Sequence, residues 1–109
     1  MDCKHITDRL SVSGQVGLDD LERLKARGVT TIINNRPDQE ERGQPLSAEL
    51  ARAVRALGLD YHHLPVTPGA VNPQDGARMV EIVANADGTV HAFCRTGNRS
   101  STLFDLGQG

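Results

Sequence analysis

A chain of 109 residues has the length of one domain, residues 1–109, able to bury a single core without staples. Twelve Lys and Arg against fourteen Asp and Glu leave a net charge of −2, which argues against a nucleic-acid or anionic-membrane binder. Two cysteines, Cys3 and Cys94, make no disulfide framework; with no signal-peptide core in MDCKHITDRL and no run of membrane-span length, a reducing cytoplasm is expected.

Hydrophobic residues make up 38% of the chain and the only aromatics are Tyr61, Phe93 and Phe104, so packing must rest on Leu, Ile, Val and Ala. Ile6 to Ser13, with Leu10 and Val12 in alternation before Gly14, reads as an edge strand. From Gly17, LDDLERLKARG places Leu18, Leu21, Leu24 and Lys25 at helical spacing, with acids near the start and Gly28 just past the end. Val29 to Asn34 is β-branched nearly throughout, as a strand covered on both faces should be. A long polar loop, Asn35 to Pro45, leaves that strand at the end where open α/β sheets place ligands.

Ser47 is the expected N-cap of the next helix, whose Leu50, Val54 and Leu57 form the buried stripe up to Gly58. Tyr61 to Val66 is the following strand. After Thr67 to Val71, Asn72-Pro73 opens a helix with Ala77, Val80 and Val83 or Ala84 on its inner side, ending near Asn85. Asp87-Gly88 turns the chain into the strand Thr89 to Phe93. Strands alternating with helices predict an α/β fold with a largely parallel sheet and right-handed crossovers. The loops after Asn34, Val66 and Phe93 then open on one edge and form one pocket.

The chemistry concentrates where that last strand ends: Cys94-Arg95-Thr96-Gly97-Asn98-Arg99, then SSTLFDL. Strand, glycine loop and helix start make an anion cradle of backbone N–H groups beside the helix's positive end. A cysteine there favours the thiolate, so Cys94 reads as a nucleophile rather than as a small buried hydrophobe. Gly97 supplies a positive φ. Arg95, Thr96, Gly97 and Asn98 are the loop's candidate anion contacts. On the facing loop Arg36 is a candidate second anion contact and Asp38 a candidate acid, against the plainer reading of a turn built on Pro37. His62 and His63 alternate across a strand and, with His5 and His91, show no ligand spacing; no metal or other cofactor is expected. Cys3 could resolve an oxidised or persulfidated Cys94, or be incidental.

The segments SVSGQ, NNRPD, HLPVTPG and FCRTGNRSS resemble the cysteine-phosphatase superfamily in its dual-specificity branch. They are more closely similar to the phosphatase-like domain of the beta-lactamase-hydrolase-like family, found alone or joined to persulfide-dioxygenase or sulfide-oxidising modules. The resemblance implies a three-layer α/β architecture, with a mostly parallel sheet flanked by helices. It gives Arg99 the role of anion binding and Ser100 that of the hydroxyl that settles the thiolate.

Two departures bear on the chemistry. Phosphatases of this fold place five residues between cysteine and arginine, whereas Cys94 and Arg99 are separated by four, the pattern of rhodanese sulfurtransferases. The general acid of the phosphatases would fall in the loop after HLPV, yet Thr67 to Val71 holds no carboxylate and Asp75 lies well into the helix. Asp38 is the stand-in, with Glu40 behind it. Sulfur transfer needs no such acid, so the leading expectation is a sulfurtransferase that carries sulfane sulfur as a Cys94 persulfide. The alternative is a phosphatase working through a Cys94 phosphocysteine, and a third reading is a non-catalytic anion- or phospho-ligand-binding module. The expected partner is a small anion, thiosulfate, a low-molecular persulfide or a phosphate ester, with a fused or associated sulfide-oxidising module. The short last helix, ending in Gly107-Gln108-Gly109, leaves open a fragment or reliance on a partner domain.

Overall fold

A computed structural model describes residues 2–108. Five strands form one sheet: β1 (Lys4–His5), β2 (Leu10–Ser13), β3 (Val29–Asn34), β4 (Asp60–His63) and β5 (Thr89–Phe93), in the order β1-β2-β5-β3-β4. All neighbours are parallel except β1, which runs antiparallel to β2. The helices are α1 (Leu21–Ala26, entered through a 3-10 turn at Leu18–Asp20), α2 (Ser47–Ala56), α3 (Pro73–Asn85) and α4 (Asn98–Gln108).

Two clusters cover the two faces. Leu21, Leu24, Leu50 and Val54 of α1 and α2 meet Ile32, Tyr61 and Phe93 on one side. Met79, Val83, Leu103 and Phe104 of α3 and α4 meet Ile33, Val90 and Ala92 on the other. Adjacent residues such as Ile32 and Ile33 point to opposite faces, which is why these strands are apolar without alternation. Burying each such Leu, Ile or Val contributes about 1.5–3 kcal/mol. The three-layer α/β architecture is therefore the one the sequence predicts.

Details differ. The edge strand is β1; β2 is shorter than Ile6–Ser13 and lies inside the sheet, because Leu10–Ser13 registers with Val90–Phe93 of β5. Strand β4 ends at His63, although the Leu64 and Val66 amides still bond the Asn34 and Asn35 carbonyls, both at 2.9 Å. Leu18 is 52% exposed and outside the buried stripe. In α3 the buried residues are Gly76, Met79 and Val83, and Ala77 faces solvent. Gly76 is there for close approach: a Cβ on it would stand 2.6 Å from the Leu103 carbonyl oxygen and 2.7 Å from the Gly107 nitrogen, so α3 and α4 meet backbone to backbone. No helix among the described residues is long and apolar enough to cross a membrane.

Candidate active site

The carboxyl ends of β2, β3, β4 and β5 share one edge of the sheet, and Cys94 follows β5 there. Its amide donates to the Ser13 carbonyl (3.4 Å), which fixes the start of the loop against β2. Gly97 has φ +93°, and a Cβ on it would lie 3.3 Å from the Ser13 carbonyl group, so both backbone hand and space require glycine. That turn directs the Gly97 N–H to Cys94 Sγ at 3.0 Å. Burial pushes the Cys94 thiol up, but the backbone N–H groups of Ser100, Thr96, Gly97 and Arg99 outweigh it and hold the pKa below the usual thiol value. Two of those amides belong to the first turn of α4, where the helix dipole adds its positive end.

Around the sulfur stands an ion-pair cluster. Arg99 grips Glu40 bidentately, Nη1 to Oε2 at 2.8 Å and Nη2 to Oε1 at 2.9 Å, and gives Nη1 also to the Val66 carbonyl at 2.8 Å. Arg36 donates Nε to the same Glu40 Oε1 at 2.9 Å and Nη1 to Gln15 Oε1 at 2.9 Å. Its side chain is 2% exposed, its amide is held by Asn34 Oδ1, and its carbonyl accepts from His63 Nε2. Arg99's hydrogen bond holds the Glu40 carboxyl below the usual range; partial burial opposes it and Arg36 reinforces it. Glu40 in return raises Arg99, which also faces the Cys94 sulfur. Glu41 lies 3.5 Å from Arg95 and 3.6 Å from Arg36.

The structure thus brings together Cys94, Gly97, Arg99, Arg36 and the backbone of Thr96 and Ser100. The Ser100 hydroxyl is buried and has no hydrogen-bond partner among the described residues. Arg95 and the side chains of Thr96 and Asn98 lie on the exposed rim; Thr96 Oγ1 accepts from the Asn98 amide. Asp38 is placed differently from its expected role: Oδ1 accepts from the Ser47 amide at 2.8 Å, so Asp38 caps α2 from a distance and Ser47 is not the N-cap. The Ser47 hydroxyl instead meets Tyr61 OH at 2.7 Å. Sequence reasoning missed the Glu40 clamp and Gln15; the signal available was a carboxylate four residues beyond an arginine just past a mostly buried strand.

A second feature went unread. His91, 0% exposed, bridges Ser11 Oγ (Nδ1, 2.7 Å) and Ser13 Oγ (Nε2, 2.8 Å). Ser13 gives its hydroxyl proton to the Gly14 carbonyl (2.8 Å), so Nε2 carries the ring proton and Nδ1 accepts from Ser11. Burial pushes the imidazole down to about 4.

A cysteine of lowered pKa at the end of a central parallel strand, met by amides of its loop and of the following helix and faced by an arginine, places the chain in the cysteine-phosphatase fold class. The chain belongs to the family of the phosphatase-like domain of the beta-lactamase hydrolase-like protein, whose pattern residues 2–109 match. The beta-lactamase hydrolase-like protein of Agrobacterium fabrum is 38% identical over 108 residues, 99% of this chain and 25% of the relative, so the chain spans about a quarter of such curated relatives. A candidate phosphatase from Neisseria meningitidis is 35% identical with a TM-score of 0.85, over 92% of this chain and 71% of the other. The catalytic domain of the yeast PP-IP phosphatase SIW14, 17% identical, shares the fold at a TM-score of 0.63, over 87% of this chain and 56% of that one. These relatives support a phosphatase-like enzyme and give no support to a rhodanese-type sulfurtransferase, which reverses the order of the two readings drawn from the loop spacing.

Proposed function

We propose that this domain is a cysteine-dependent phosphatase acting on a small phosphorylated anion. The observation that carries the reading is Cys94 Sγ accepting the Gly97 N–H at 3.0 Å, with its pKa lowered by the loop and α4 amides and with Arg99 facing it, in a chain of phosphatase-like family. Cys94 Sγ attacks phosphorus, and the loop amides and the Arg99 guanidinium stabilise the equatorial oxygens as charge builds on them. Water then cleaves the phosphocysteine. Glu40, itself held by Arg36, keeps Arg99 in position, and the buried Ser100 hydroxyl, without a hydrogen-bond partner among the described residues, is the group that would settle the departing thiolate. A reducing compartment suits an unpaired thiolate.

The test is Cys94-dependent turnover of an aryl phosphate, with the phosphocysteine trapped by acid quench and read by mass spectrometry. Turnover absent from Cys94→Ser supports the reading; no turnover and no trapped adduct rejects it. Sulfur transfer stays as the second reading because of one observation: the four-residue loop aims its amides at the sulfur itself, and Cys94 is 0% exposed, a cradle suited to one added atom. One sulfur gained by Cys94 on exposure to thiosulfate, without phosphate turnover, would establish that chemistry instead. Ligand affinity retained in Cys94→Ser, with neither activity in wild type, would mark a binding module.

A further inference from the structure

Resting on the phosphatase reading, we infer that the site takes phosphoryl donors whose leaving group departs as a stable anion, namely phosphoanhydrides, acyl phosphates and aryl phosphates, and discriminates against alkyl phosphate esters. The carboxylates of the loop between β3 and α2, and Asp75, are already engaged by other groups of the chain. Both oxygens of Glu40 receive guanidinium N–H groups, Oε1 from Arg36 and Arg99 and Oε2 from Arg99, at 2.8 to 2.9 Å. A proton on Glu40 would have to displace one of those donors. Glu41 stands between Arg36 and Arg95. Asp38 accepts from the Ser47 amide. Asp75 sits in the first turn of α3, accepting from Asn72 Nδ2 at 2.9 Å. His63 faces the backbone carbonyl of Arg36, its Nε2 hydrogen donated there at 2.9 Å.

With Glu40 saturated by guanidinium donors, Asp38 bonded to the Ser47 amide and no carboxylate in Thr67 to Val71, the site offers no unengaged acid among the described residues to protonate a departing alkoxide. Its mouth nevertheless keeps a positive balance, Arg36, Arg95 and Arg99 against Glu40 and Glu41: Arg95 is 65% exposed, and one Nη of buried Arg36 has no hydrogen-bond partner among the described residues. Such a mouth suits a leaving group that departs already negative. In the first step the Cys94 thiolate forms the S–P bond while the bond from phosphorus to the leaving oxygen breaks, its electron pair leaving on that oxygen as phosphate, carboxylate or phenolate. In the second, water forms the new P–O bond, the S–P electrons return to sulfur as thiolate, and both protons of the water leave on orthophosphate.

The experiment is a leaving-group series on the intact chain. Aryl phosphates of graded phenol acidity, acetyl phosphate and glycerol 3-phosphate are compared by kcat/KM, with Cys94→Ser as the blank. Since a positioned general acid is worth about 10²–10⁴-fold, kcat/KM should fall steadily as the phenol becomes less acidic, with glycerol 3-phosphate at least about 10²-fold below the best aryl ester. The slope should be as steep in Asp38→Asn as in wild type. Turnover of the alkyl ester within about tenfold of the aryl esters, or a slope that is shallow in wild type and steepens in Asp38→Asn, overturns this inference and leaves the phosphatase reading standing. Absence of Cys94-dependent turnover with every phosphate removes both.

Discussion

At the scale of single residues, the site depends on which charges the backbone and its neighbours stabilise. Four N–H groups outweigh burial at Cys94, so its thiolate should persist to lower pH than that of an ordinary cysteine. Iodoacetamide alkylation followed by mass spectrometry should show the Cys94 rate levelling off at lower pH than a free-cysteine standard; an inflection at or above the standard would contradict the cradle. His91 works in the opposite direction. Its folded pKa, about 4, lies below the 6.5 of an unhindered imidazole, so the unfolded chain binds the extra proton first. Stability contributed by neutral His91 is present above pH 6.5 and is lost as pH falls toward 4. Urea unfolding should find the protein weaker by about 2–3 kcal/mol at pH 4.5 than at pH 7 from this group alone. His91→Gln should remove that acid-side component.

Among the elements, the loop between β3 and α2 carries the contacts that hold Arg99. It is tied down at one end by Arg36 and at the other by Asp38 on the Ser47 amide, with Glu40 between them on Arg99. Cys94 is fully covered in this arrangement, and opening the Glu40–Arg99 pair is expected to uncover it. Glu40→Gln removes charge-assisted contacts worth about 1.5–3 kcal/mol each. Alkylation of Cys94 at fixed thiolate fraction should therefore accelerate by about tenfold, while kcat/KM toward an aryl phosphate falls because Arg99 is no longer positioned. A variant that leaves both rates unchanged would show that the clamp neither guards nor orients the site.

For the molecule as a whole, the layers were legible because β-branched runs such as Val29–Asn34 and Thr89–Phe93 admit little besides buried strands, and capping at Asn72-Pro73 marks α3 unambiguously. The cysteine loop was equally legible, since glycine, cysteine and arginine sit at a strand-to-helix junction. What the chain order concealed was pairing between distant segments. Glu40 reaches Arg99 across 59 positions and Ser13 reaches His91 across 78, and no local pattern announces either. The contact of Asp38 with the Ser47 amide was hidden for the same reason, because a carboxylate in a polar loop looks alike whether it faces substrate or the next helix.

The meeting of Gly76 with the last turn of α4 ties these scales together. One end of that helix aims amides at the nucleophile, while the other is seated on a neighbouring rod with no side chain between to cushion it. Three turns of α-helix transmit displacement rather than absorb it. A methyl group introduced by Gly76→Ala should accordingly register twice: as a drop in Tm, overpacking costing about 1–3 kcal/mol, and as a less acidic Cys94 in the alkylation profile. Distal wedging that lowered Tm without moving the thiol's ionisation would mean that the helix is hinged rather than stiff.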